Sequence, residues 1–394
     1  MVEAMTGVQM SCTAVRWDAA HHGEIDACWR QVLQRLPAST VFHYPEWIAL
    51  AREAGTVKPW RVLIIRRGEQ PLAVIPLAKR TPWTADILGD FAHENPPLLI
   101  DPAAEGEVWA CLAEWMRGRP GVGLVYLGSY ADQDFIARFR RAMRQQNLTT
   151  FAPSLMPLFT IPLAADWDDY LGTLGHRTRA NIRRLERQFE QEMPGATFQV
   201  LTASPAADDA LEDFIRLYRR RWRDLVGGSG LESAEQRRCY RETFHWAVQQ
   251  GFAAIPTVRM DGTTVAALTL FHLPGQSAMQ VHRFVREREV ELPKHFSLGI
   301  LLCAKTFRWA IEQGVRTVGM SYSSNEYKQL LGGEEHPRCE LHLARTPLAG
   351  TLYYRLNSLQ DYLARPGKYL RYLIRKMGTE SDKIVGSVPI ITDN

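Results

Sequence analysis

The stretch from Pro293 to Gly333 constrains the fold more than any other part of the chain. It opens with P-K-H-F-S-L-G, continues as an apolar run to Gly314 and V-R-T-V-G-M, and closes with S-Y-S-S-N-E-Y-K-Q-L-L-G-G. The pattern predicts a loop opening a helix, a short buried strand, and a second helix that begins with Tyr327 and Lys328. Unpaired backbone N–H groups and the helix dipole make the loop–helix junction a seat for an anion. The Tyr–Lys pair just past the strand is then placed to face whatever that anion carries.

At 394 residues the chain fits two ordinary domains, and 46% hydrophobic with 23% charged residues can bury a real core. A net charge of +4 permits an anionic ligand without pointing to nucleic acid. The six cysteines (12, 28, 111, 239, 303 and 339) form no C-x-x-C pair and no zinc spacing with histidine. Free thiols and no metal site are the expectation. The N-terminal residues lack a basic segment followed by an apolar run, and nothing approaches the roughly 20 apolar residues of a membrane span. A cytoplasmic location is expected.

Alternating strand and helix signals divide the chain. Trp60 to Arg80 reads as a hairpin, Glu105–Arg117 as a helix, Gly121–Gly128 as a buried strand and Asp132–Gln145 as an amphipathic helix. The Pro-punctuated segment 147–162 is extended and marks a boundary. Helices follow at Asp166–Leu174, Arg177–Glu192, Asp208–Leu225 and Ala234–Gln250, with a strand at Thr197–Leu201. A meander over Phe252–Val285 turns at Asp261-Gly262 and Pro274-Gly275. A last strand is expected at Cys339–Leu343. Three parts result: a lobe over 1–160, a second over 161–346, and a helical tail over 347–394. Each lobe pairs a hairpin with a helix and a buried strand, which is a mixed α/β (α+β) plan used twice.

Several side chains carry possible chemistry. His282, near the end of the third meander strand, has a side chain whose ordinary pKa suits proton transfer near neutrality; a core or solvent-facing histidine fits the same place. Arg179 and Arg183 share one face of a basic helix that Arg177, Arg184 and Arg187 extend. That face suits an anion or RNA as well as it suits solvent. In the tail, Lys368, Arg371, Arg375 and Lys376 alternate with Tyr369, Leu370, Tyr372, Leu373 and Ile374. Such a segment either packs on its own domain or touches anionic lipid at a membrane surface.

Taken in order, these residues resemble a known family. T-R-A-N-I-R-R (Arg179, Arg183, Arg184), Arg221-Trp222, Asp261-Gly262 with Ala266-Ala267, Gly299, and Tyr327-Lys328 with Gly332 match the GNAT-superfamily acyltransferase domain of CelD-like polysaccharide-biosynthesis proteins. That group is related to the FemAB-type aminoacyl transferases, and F-H-Y-P-E-W (Phe42–Trp47) is similar to a segment near their start. The resemblance spans about Thr40 to Arg345 and implies two GNAT-like lobes. It implies an acyltransferase taking an acyl-CoA-type donor and an amine or hydroxyl acceptor, such as a sugar or cell-envelope precursor. By the same resemblance, Lys294, Ser297, Leu298 and Gly299 hold donor phosphates, and Tyr327, with Tyr322 as substitute, protonates the departing thiolate. His282 acts as base, while Arg179, Arg183, Arg221, Trp222 and Lys328 bind donor or acceptor anions. The loop 294–299 keeps one glycine and lacks the rest of the [RQ]-x-x-G-x-[GA] pyrophosphate pattern. That departure keeps open an aminoacyl-tRNA-dependent transferase, as does a catalytically silent binding module whose 11 Trp stack on sugars.

Overall fold

The computed structural model describes residues 9–53, 59–87, 98–119, 121–222, 231–287, 289–320 and 326–364. The chain divides into two compact units, one holding the residues up to Leu155 with those from Arg338 onward, the other Met156–Pro337.

The first unit begins with β1 (Met10–Val15), α1 (His22–Leu33) and α2 (Pro45–Glu53). Then come β2 (Pro59–Arg67), β3 (Gln70–Thr81), β4 (Thr84–Ile87), β5 (Leu99–Ile100) and α3 (Glu105–Arg117), followed by β6 (Leu124–Tyr130), α4 (Gln133–Gln145) and β7 (Thr149–Phe151). β2 and β3 form the expected hairpin, closed at Gly68 with φ +57°. Val62–Ile65 and Leu72–Ile75 are buried on both strand faces, so the pair reads as continuous apolar runs. α4 starts where Asp132 Oδ1 accepts the Phe135 N–H at 2.9 Å, an N-cap whose loss typically costs about 1 kcal/mol. β4 pairs with β6 in parallel, Thr84 beside Leu124 through Asp86 beside Tyr126.

The second unit runs β8 (Ser154–Pro162), α5 (Trp167–Thr173), α6 (His176–Gln191), β9 (Ala196–Leu201), α7 (Ala206–Trp222) and α8 (Ala234–Gln249). The meander β10 (Ala253–Met260), β11 (Thr263–His272) and β12 (Ala278–Arg286) follows, then α9 (Leu298–Glu312), β13 (Thr317–Met320) and α10 (Glu326–Leu330). Its strands lie in the order β8-β13-β12-β11-β10-β9, and among the described residues only β12 and β13 run parallel. Asp261 (φ +47°) and Gly262 (φ +76°) make the β10–β11 turn, in the left-handed conformation that a two-residue hairpin demands. Thr264–Phe271 are buried without alternation, and both α7 and α9 pack against β11. Gly314 (φ +81°) ends α9, with the Val315 N–H donating to Ala310 O at 2.9 Å.

β14 (Glu334–Ala344) carries the chain back to the first unit, where its later residues pair antiparallel with β6 and β7. α11 (Pro347–Ala364) packs on that unit. A Cβ on Gly350 would meet the Phe151 ring, and one on Gly123 would meet the Tyr353 ring, so both close approaches require glycine. The opposite side of α11 leaves Leu348, Leu352 and Leu356 exposed. The basic run from Lys368 to Lys376 lies outside the described residues. Among the described residues, no helix is long and apolar enough to cross a membrane. The architecture is the mixed α/β one expected from the sequence: each unit is a mixed sheet flanked by helices, holding one parallel strand pair beside a helix.

Candidate active site

In the second unit Ala278 lies beside Thr317 and Val281 beside Met320, and β12 continues through His282 to Arg286. On its other side β12 pairs irregularly with β11: Thr269 pairs with Arg283 and Leu270 with Val281, so the register skips His282. This is a β-bulge, a device that re-aims side chains at the point where regular pairing stops.

The bulge turns His282 toward α8, where it is 4% exposed. Its ring stacks with Tyr240 at 5.7 Å and lies 5.3 Å from Phe271, and the Tyr240 hydroxyl sits 3.5 Å from Nδ1. Tyr240 is itself held by Thr269 Oγ1 at 2.8 Å. The next residue, Arg283, places its guanidinium 5.1 Å from both the Tyr218 and Tyr240 rings. Tyr218 contacts Trp222 at 6.1 Å, and Arg221 lies over the Trp222 ring at 5.4 Å. Three of the residues expected from the sequence, His282, Arg221 and Trp222, thus join one cation–aromatic assembly through Tyr218, Tyr240 and Arg283.

The loop before α9 lies at the other end of the β12–α9 connection. Lys294 is exposed and His295 adopts φ +61°, while Phe296 is buried with its N–H donating to Pro293 O at 3.0 Å. Ser297 is the N-cap of α9 but makes no side-chain cap bond, so no side chain of that residue covers the first N–H groups of the helix. Leu298 is buried. A Cβ on Gly299 would stand 3.2 Å from the Phe284 ring, so this glycine lets the helix start close to β12.

Tyr327 opens α10 and packs partly buried against the core of the unit. Lys328 is 1% exposed, with Nζ 5.3 Å from the Phe159 ring centre. Its charge acts on the thiol of Cys303, yet burial dominates and pushes that thiol up to about 12. The structure places Lys328 inside the unit and not on an open anion-binding surface. Arg183 is exposed and faces Asp168 at 3.6 Å, and Arg179 is half-buried on the same helix. Tyr322 lies outside the described residues.

This geometry, a bulged strand beside a parallel neighbour with a helix launched from the connection, can now be set beside known proteins. Residues 176–329 match the acetyltransferase (GNAT) domain family. No curated protein matches the sequence. The structure of FemX is similar with a TM-score of 0.56 at 11% identity, over 88% of this chain and 99% of its own. L-PGS from Bacillus licheniformis is similar at 0.51 and 16% identity, covering 84% of this chain and 93% of its own. The C-terminal domain of a putative lysylphosphatidylglycerol synthetase from Agrobacterium fabrum stands at 0.51 and 11%, covering 83% and 93%. At these identities the likeness is one of fold, and it extends over both units.

Within the matched segment, sequence reasoning passed over Tyr218 and Tyr240 and gave Arg283 no role. Tyr218 and Trp222 sit four residues apart on α7, a spacing that could have drawn attention to Tyr218. Nothing local marks Tyr240, which reaches His282 across 42 positions of chain.

Proposed function

We propose that this chain transfers an acyl group from an acyl-CoA-type donor to an amine, or to a hydroxyl. The observation that carries the reading is the bulge at His282 on β12, next to the parallel β12–β13 pair, with Ser297 at the start of α9 making no side-chain cap bond. The donor diphosphate sits on the backbone N–H groups at Leu298 and Gly299, with Lys294 supplying charge and Ser297 its hydroxyl. The acyl chain lies beside the His282 bulge of β12. The acceptor nitrogen attacks the thioester carbonyl carbon and the C–S bond breaks. His282 takes the proton from the attacking amine, and Tyr327 gives its phenolic proton to the departing thiolate, which balances the exchange. The cation–aromatic assembly of Arg221, Trp222, Tyr218 and Arg283 binds the acceptor, and Arg179 and Arg183 set the positive field around the bound anions. A glycan or cell-envelope precursor as acceptor draws its support from the CelD-like pattern of the sequence alone.

One observation favours a second reading. The fold likeness to FemX covers both units, and the loop at Lys294–Gly299 lacks the full pyrophosphate pattern, which suits an aminoacyl-tRNA donor as in FemAB-type transferases. The test is to follow free thiol released from acyl-CoAs across a panel of amines. His282→Asn and Tyr327→Phe are each expected to lower turnover on the order of 10²-fold while leaving donor affinity unchanged. No thiol release with any acyl-CoA, together with aminoacyl transfer from charged tRNA, overturns the first reading in favour of the second.

A further inference from the structure

The Arg184 guanidinium on α6 is held in a fork. Nη1 donates to Gln188 Oε1, and Nη2 donates to Asn181 Oδ1 at 2.7 Å. These two acceptors lie four residues after and three before Arg184 on the same helix face, and they fix its planar head. Nη2 also donates at 3.0 Å to the carbonyl of His295, 111 positions away in sequence. His295 is the residue with φ +61°, a left-handed conformation that a non-glycine side chain adopts only when its surroundings impose it. On its far side the loop is anchored by the buried Phe296 and the 3.0 Å turn from the Phe296 N–H to Pro293 O. The His295–Phe296 peptide is therefore clamped from both ends, immediately before Ser297 and the first N–H groups of α9.

All three acceptors of Arg184 are neutral oxygens, so none of these bonds cancels its charge, and a full positive charge remains beside the helix start. We infer that Arg184 is the positioning residue of the anion-binding loop: through the His295 carbonyl it holds Lys294–Gly299 in the shape that receives the donor diphosphate. It does not touch the reacting atoms. The inference rests on the reading of α9's start as the donor seat, but the loop clamp itself is observable without any ligand.

Arg184→Lys keeps the charge and loses the fork, whereas Arg184→Gln keeps a short donor and loses the charge. In ligand-free protein, amide hydrogen exchange over residues 294–300 is expected to rise at least tenfold in Arg184→Lys, with the thermal midpoint and the exchange of β10–β12 unchanged. With acyl-CoA, the same variant is expected to raise the donor Kd and KM roughly tenfold at unchanged kcat, the size of one lost charge-assisted hydrogen bond. Arg184→Gln is expected to weaken donor binding at least as far, and the wild type's sensitivity of donor binding to salt falls in this variant. Unchanged loop exchange and unchanged donor affinity in Arg184→Lys overturn the inference. A wild type that binds no acyl-CoA, with the exchange effect present, counts against the donor assignment and leaves the clamp standing.

Discussion

Cys303 shows how burial decides chemistry at the scale of one residue. It is 2% exposed in the core of the second unit, and burial pushes its thiol up to about 12 despite the nearby charge of Lys328. The thiolate is the reactive form, so the group stays inert across the pH range in which ordinary cysteines react. Native protein treated with iodoacetamide at pH 8.5 is expected to label the half-buried Cys339 well before Cys303, as read by peptide mass spectrometry. Equal rates contradict the placement. Gly299 teaches a related lesson. The sequence marks it as a phosphate-loop glycine, but its missing Cβ faces the Phe284 ring at 3.2 Å, so a large residue there disturbs β12 packing whatever it does to an anion. Lys294, which is exposed, is the cleaner residue to vary. Residue types were legible in the sequence; their surroundings were not. Arg184 reads as one more charge on a solvated basic face, and only the fold reveals that it is bonded to a loop 111 positions away.

At the scale of elements, turn chemistry and helix periodicity carried the reading a long way. The Asp261-Gly262 hairpin, α3, α4, α6, α8 and the loop–helix–strand–helix order from Pro293 onward follow directly from local patterns. β1, α1 and α2 did not emerge, since M-S-C-T-A-V alternates only weakly in burial and lacks the β-branched run that marks β2 and β3. The bulge at His282 was beyond reach because a register skip depends on which residues of β11 pair with β12, and that is fixed by packing across the whole sheet. α10 supplies a prediction of its own. A Cβ on Gly333 would stand 2.6 Å from the Lys328 carbonyl oxygen, where the chain turns back at the end of the helix. Gly333→Ala is expected to cost about 1–3 kcal/mol in chemical denaturation and to lower turnover, since the same turn holds the helix that carries Tyr327. Wild-type stability in that variant contradicts the close approach.

For the whole molecule, chain continuity separates the two units. The second, Met156–Pro337, is one uninterrupted segment holding five complete strands and most of β8. The first needs the chain from Arg338 onward, because the later residues of β14 pair with β6 and α11 packs on β6 and β7. A fragment of residues 156–337 is expected to give a cooperative thermal transition by circular dichroism. Residues 1–155 alone are expected not to fold, and to gain structure when 338–394 is supplied. A cooperative transition from 1–155 alone contradicts this division. The mixed α/β plan used twice was readable from the repeated hairpin, helix and strand; the return of the C-terminal chain to the first unit was not, because only tertiary pairing shows it.

The central claim is that an acyl-CoA-type donor sits at the start of α9, and calorimetric titration of the protein with acetyl-CoA and longer acyl-CoAs tests it most directly. The account predicts saturable micromolar binding that Lys294→Glu weakens at least tenfold without changing the thermal midpoint. Absence of binding to every acyl-CoA, or binding that Lys294→Glu leaves untouched, contradicts it.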